Sequence, residues 1–377
     1  MKRHTIAGAV ALLVCGIVPS LSAGWVAVNL HPADASESWA AAVSGLYQAG
    51  RVSDATQQVA LHPALWQGSA LGYTRISGPS GGIAGIDGFD KVGAWGGRFA
   101  ALWKGASNTL VDLHPAVATV SQALAVLQGV QVGSVFVSPG QPLSPGYHAA
   151  MWGGTSASFQ DMNPAGAVYS VLSAIDWSGQ AGGFQPSPAE GGHAALWQGT
   201  AESVVDLHPS GAYASQAQAI SNGRQGGYVQ YARDGPAHAA LWTGTPESYV
   251  DLTPSFVWTA GINGMDAGIQ VGVGVPVGST SDFHALVWFG MAESCLDLHS
   301  YLCSDYTKSE ARAIDVDEFG TIRVVGYAYN NNYYLPNGTY YPRNEAMMWV
   351  LVPEPSSVVA LAAGLAGLAG LRTRRRR

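Results

Sequence analysis

"HAALWQGTAESVVDLHP" spans residues 193–209, and "HAALWTGTPESYVDLTP" returns at 238–254, forty-five residues on, with His, Trp, Glu, Asp and Pro in step. Such a triplet at fixed spacing could serve chemistry or packing, and counting the copies separates the two. The first half recurs as "HPALW" ending at Trp66, "FAALW" at Trp103, "HAAMW" at Trp152, "HAALW" at Trp197 and Trp242, "HALVW" at Trp288 and "EAMMW" at Trp349, seven times. The second half also occurs seven times: "NLHP" at 29–32, a degraded "ISGP" at 76–79, then "DLHP", "DMNP", "DLHP", "DLTP" and "DLHS" from residues 112, 161, 206, 251 and 297. An apolar strand, a Gly or Asp turn and a return strand fill the rest of each copy, as in "INGMDAGIQVG" at 262–272.

The spacing from Trp66 to Trp349 gives a period of about 47 residues, which suits four-stranded propeller blades. In "HAALW", His193, Ala195 and Trp197 share one strand face and Ala194 and Leu196 the other. Both faces are largely apolar, as expected of a sheet sandwiched between two neighbours. The chain opens on the second half of a repeat and closes on the first, so each end needs the other. The expectation is an all-β, seven-bladed β-propeller of four-stranded blades, closed by N- and C-terminal strands that share one blade, which leaves no exposed sheet edge.

Recurrence also assigns the conserved polar residues to packing. His148, His193, His238 and His284 align with Phe99 and Glu345 in other copies, so the position tolerates loss of the imidazole. Each repeat Trp could bury roughly 150–250 Å², worth up to ~4–6 kcal/mol. The arrangement is similar to the His, Trp and Asp that tie strands in WD-repeat propellers. The repeat itself resembles the HAF repeat of bacterial extracellular proteins, whose motif reads His-Ala-Phe-Leu-Trp, a Gly, then Asp-Leu-Gly. Here Ala commonly replaces the Phe and His-Pro follows Asp-Leu. That resemblance covers nearly all of residues 25–350 and implies a secreted β-structured repeat protein with no assigned catalytic residue.

Composition agrees, with 48 Gly, 20 Pro and only 11% charged residues. Residues 1–23 read as a signal peptide: Lys2, Arg3 and His4, an apolar run from Ile6 to Val18, then small residues. Residues 24–351 would be the propeller. Residues 352–377 carry Pro353, Glu354 and Pro355, an apolar run from Val358 to Leu371, and Arg372 with Arg374 to Arg377. This end resembles the PEP-CTERM sorting signal of Gram-negative bacteria. The resemblance implies an exosortase as partner, a transmembrane stretch stopped by the Arg tail, transient inner-membrane anchoring, and a cell-envelope or extracellular destination. Both terminal segments are expected to be helical. Without them, 11 basic residues face 24 acidic ones, a formal −13. Such a body argues against nucleic acid as a partner and leaves the membrane only the C-terminal segment.

No cofactor, metal site or catalytic constellation emerges from the sequence. "GPSGG" at 78–82, centred on Ser80, lacks the following helix that a nucleophile elbow needs. "DVDEFG" at 315–320 has Phe319 where a calcium loop needs oxygen, and Gly326 at its twelfth position. Cys295 and Cys303 flank one strand and its turn and could form a disulfide. Symmetry is broken between Trp288 and Trp349, where "YAYNNNYYLPNGTYYPR" at 327–343 presents Tyr333, Tyr334, Asn337, Tyr340 and Tyr341 on a hairpin that could stack on sugar faces. The sequence thus reads as a non-catalytic structural or interaction module, with exopolysaccharide or envelope proteins as partners in a biofilm setting. The alternative is a polysaccharide-acting hydrolase or lyase, but the unrepeated acids Glu190, Asp234 and Glu310 fall in different repeats with no visible pairing.

Overall fold

A computed structural model describes residues 24–54, 60–334 and 339–351. Residues 1–23, expected to be a signal peptide, Asn337, the motif at 353–355 and the apolar tail lie outside the described residues. The described residues are all β with short 3-10 turns and no α-helix. No helix among them is long and apolar enough to cross a membrane.

The strands form five four-stranded sheets and one of eight, and the eight divide into two groups of four joined by the parallel pairing Tyr147↔Tyr169. Numbered in chain order, the groups occupy residues 35–75, 81–112, 120–161, 169–206, 214–251, 257–297 and 306–351. The strand Trp25–Asn29 completes group 7, pairing antiparallel with Arg343–Leu351 in the register Trp25↔Leu351 and Val28↔Met348. Group 5 illustrates the local logic. Ala214–Ser221 turns through Asn222 and Gly223 into Arg224–Gln230. Both turn residues have positive φ, 52° and 74°, as a two-residue hairpin turn requires. Ala237–Trp242 and the two-residue strand Val250–Asp251 then follow outward.

Each first strand lies against the preceding group, and Ala35–Ser44 of group 1 lies against three strands of group 7. The seven repeat tryptophans are at most 2% exposed and fill these junctions. Trp66 packs with Leu30, Val325, Ala346 and Met348 across the group 7–group 1 boundary, and the Trp288 indole donates to the Leu252 carbonyl of the preceding group at 2.8 Å.

The recurrent polar residues bind strand to strand and group to group. His193 Nδ1 lies 2.8 Å from Asp206 Oδ2, linking the third strand of group 4 to its fourth. The other carboxylate oxygen accepts from the His208 amide at 2.8 Å. His208 Nδ1 then meets Ser215 Oγ of group 5 at 2.8 Å, and that hydroxyl accepts the buried amide of Ala194 at 2.9 Å. Groups 3 and 6 repeat the pattern through His148–Asp161 and His284–Asp297. In group 1, Arg75 stands at the Asp position, and Asp54 supplies the carboxylate to Arg75 and to His62 at 3.2 Å. At the group 7 seam the pair appears as Glu345 with Asn29, whose amide donates to Glu345 Oε2 at 2.7 Å.

Replacing Ser215 by alanine strands the Ala194 amide and one nitrogen of His208. The expected cost is about 1–3 kcal/mol, read as a lower urea midpoint at unchanged slope. A midpoint equal to that of the parent would show that the hydroxyl is not a tie.

Candidate functional site

Every first strand carries a β-bulge at the same place. The register slips across Ala41, Ala84, Leu124, Ser173, Gln218, Asn263 and Arg312. Bulges re-aim side chains, so one backbone irregularity serves seven positions that carry six residue types. Four of them line one cavity of about 480 Å³, formed by groups 1, 2, 3 and 7. A second cavity, of about 420 Å³, is formed by groups 5, 6 and 7, and Tyr327 lines both.

Glu310 organises the wall between them. Its carboxylate receives Arg312 Nε at 2.8 Å, the Tyr327 hydroxyl at 2.7 Å and the Asn263 amide at 3.1 Å. Asn263 also donates to the Ala311 carbonyl at 2.9 Å. Burial, reinforced by the Glu310 charge, pushes the Tyr327 phenol up to about 12, so it stays a neutral donor. Across the first cavity, the Arg51 guanidinium sits 4.8 Å from the Trp39 ring centroid. Burial and the neighbouring Arg312 charge lower its pKa. The arrangement can hold a polar ligand between guanidinium, amide and phenol groups and aromatic faces.

The tyrosine-rich stretch divides by exposure. Tyr334 and Tyr340 are exposed, with rings 5.5 Å apart across an isolated bridge. Tyr333 and Tyr341 are half-buried, and the Tyr333 ring is covered by the Arg343 guanidinium at 3.5 Å. Of the expected aromatic platform, then, two rings face solvent and one is covered by a cation. None of these four tyrosines lines either cavity.

The expected bridge between Cys295 and Cys303 is absent. Cys295 is a buried thiol packed with Leu252 and Trp288, and burial raises its pKa beyond the usual thiol range. Cys303 Sγ turns instead toward Asp305 Oδ2, 4.0 Å away. Ser80 sits in the loop before the strand Gly81–Asp87, its carbonyl accepting from Gly96, and no helix follows. Asp317 accepts the amides of Thr321 and Phe319 and pairs with Arg323, so its oxygens serve the turn. Of the three unrepeated acids, Glu310 reaches a cavity wall, whereas Glu190 and Asp234 are exposed. Among the described residues no group of three or more His, Cys, Asp or Glu could hold a metal ion.

Sequence reading missed Trp39, Arg51, Arg312, Tyr327 and Asn263. The available signal was their departure from the repeat: at the second-strand position of Arg51 and Tyr327, the other groups carry Ala94, Ser134, Gly183, Tyr228 and Val273.

Comparison with known proteins adds the following. Residues 351–376 match the PEP-CTERM protein-sorting motif. The motif marks an exported protein sorted to the envelope or beyond, and it is consistent with recognition by an exosortase. No curated protein matches the sequence significantly. Among solved structures the chain is similar to a puromycin hydrolase (13% identity, TM-score 0.49, 80% of this chain and 52% of that one). It is also similar to the β-propeller domain of the trilobed protease of Pyrococcus furiosus (9%, 0.49, 85% and 99%). A third is an oligogalacturonate lyase of Vibrio parahaemolyticus (11%, 0.48, 88% and 92%). The chain spans about half the length of the puromycin hydrolase.

Proposed function

We propose that the four-stranded groups are the blades of a closed seven-bladed β-propeller of HAF type, acting as an exported, non-catalytic binding module in the envelope or biofilm matrix. The sorting signal delivers it, with passing inner-membrane anchorage before exosortase processing, and the cavity walled by groups 1, 2, 3 and 7 receives a glycan. One observation carries this reading: the repeated His, Asp, Ser and Trp are consumed in packing, while unrepeated polar and aromatic residues gather in one cavity. Support for closure comes from the pairing of Trp25–Asn29 with Arg343–Leu351 and from the packing of group 1 on group 7.

The alternative, a polysaccharide-acting enzyme, has Glu310 as its acid. Glycoside hydrolysis ordinarily uses two carboxylates at a set separation, and Glu310 is already committed to Arg312, Tyr327 and Asn263. The test is an array of bacterial glycans probed with the exported, processed protein while reducing ends are assayed. Retention of a subset, reduced by Trp39→Ala and unchanged by Tyr334→Ala, is the expected result. Released reducing ends would make it an enzyme, and no retention would end the binding reading.

A further inference from the structure

We infer that the cavity of groups 1, 2, 3 and 7 takes an acidic sugar, whose carboxylate is held by Arg51 with Arg312 beside it. This rests on the proposed glycan-binding reading and names the class of glycan. Among the seven aligned second-strand positions, the one occupied by Arg51 alone carries a charge. Its stem lies across Gly82 of the next group, where an added Cβ would meet Arg51 Cβ and Cδ at 3.3 Å. The missing side chain at 82 is what makes room for the arginine.

Arg312 is neutralised by Glu310 at 2.8 Å. Arg51 forms no ion pair with any described carboxylate. Its near neighbours are the Trp39 ring, the like-charged Arg312, and the longer-range field of Glu37, which is itself bonded to the Asn344 amide at 3.2 Å. Two guanidiniums against one committed carboxylate leave a local positive excess in a body whose formal charge between the two terminal segments is −13. A planar guanidinium matches a carboxylate in two parallel hydrogen bonds. Trp39 and Tyr327 offer rings, and Gln122 an amide, to the rest of the sugar. A volume of about 480 Å³ lies within the span of small-ligand sites.

The experiment is titration calorimetry of the full exported protein with a galacturonic acid trimer, its methyl ester and a neutral galactose trimer. The acid should bind at least about tenfold more tightly than the ester, and added salt should narrow the gap. Arg51→Gln should lose about tenfold or more for the acid and little for the ester. Arg51→Lys should retain part of the preference, and Gly82→Ala should weaken the acid by displacing the stem. Arg224→Ala, at the exposed start of the second strand of group 5, is the control. Equal affinity for acid and ester, or an unchanged affinity in a folded Arg51→Gln, overturns the inference while leaving glycan binding standing. Failure of all three trimers, together with an array that retains nothing, removes both.

Discussion

Glu345→Ala is expected to destabilise the protein by roughly 3–5 kcal/mol, the range for breaking a buried ion pair on one side, and to loosen the chain's first strand. The carboxylate is 2% exposed and is held by four donors: Tyr306 at 2.6 Å, Asn29 and Arg343 at 2.7 Å each, and Asn330 at 3.3 Å. Burial alone would raise its pKa. The Tyr306 hydroxyl, with the charge and hydrogen bond of Arg343, outweighs burial and holds it below the usual carboxylate value. Alanine leaves the largely buried Arg343 guanidinium without its anion and the Asn29 amide without an acceptor. Because Asn29 and Glu345 lie at opposite ends of the chain, their bond acts at the seam. Hydrogen exchange should therefore quicken at residues 25–31 more than in groups 3 to 5, and a double-mutant cycle with Asn29→Ala should show coupling. Glu293→Ala, at an exposed first-turn position in group 6, should shift the melt by less than about 0.5 kcal/mol. A Glu345→Ala melt as close to the parent as that, with unchanged exchange at 25–31, would mean the seam is held by apolar contacts alone.

The sequence carried the period, the strand faces, the burial of the seven tryptophans and the pairing of residue 29 with the strand near residue 347, because each follows from side-chain alternation repeated often enough to average out local exceptions. It also carried the packing role of the His and Asp, through their tolerance of Phe99 and Glu345. The substitution of Glu345 and Asn29 for His and Asp was visible as two separate losses. Only the pairing of the terminal strands reveals them as one exchange. The cavity was less legible. Arg51 and Arg312 stand 261 residues apart, and what brings them together is a bulge register and a missing side chain at Gly82, neither of which has a periodic signature. The tyrosine-rich stretch was conspicuous as composition, but the Arg343 guanidinium covers the Tyr333 ring, and composition does not show a contact between residues ten apart. The disulfide expectation failed for a related reason: proximity in sequence fixed neither the burial of Cys295 against Trp288 nor the turn of Cys303 toward Asp305.

Acidification from pH 7 to pH 5 is expected to lower stability through the imidazoles that join neighbouring groups. His31 shows the mechanism. Its Nδ1 lies 2.8 Å from Ser38 Oγ and its Nε2 lies 3.1 Å from the Ala35 carbonyl, while Ser38 Oγ accepts the buried Ala346 amide. The hydroxyl can then give its proton to Nδ1 while Nε2–H donates to the carbonyl, an arrangement in which the ring is neutral. Group 3 supports this assignment with a residue that cannot titrate: the Asn163 amide donates to the Ala167 carbonyl, and Asn163 Oδ1 accepts from Ser170. Burial, then the Arg343 charge, lowers the His31 pKa from 6.5 to about 4. Burial likewise lowers His114, His208 and His299, and His193 and His284, which stack on the last two at 3.9 and 4.1 Å, add like charge.

The folded state thus binds fewer protons than the unfolded chain between pH 6.5 and about 4. Stability is fully present above the unfolded pKa and is lost as pH falls through that window, by up to about 3 kcal/mol for His31 alone. Above pH 5 the carboxylates contribute little, so denaturant melts at pH 7, 6 and 5 isolate the imidazoles. His31→Asn, which borrows the side chain already working in group 3, should preserve the network and flatten the slope by one group's share. His31→Asn with His208→Asn should flatten it further. A parent whose stability is level across this range, or a His31→Asn variant that retains the full slope, would show that these rings carry their protons in the folded state and are tied some other way.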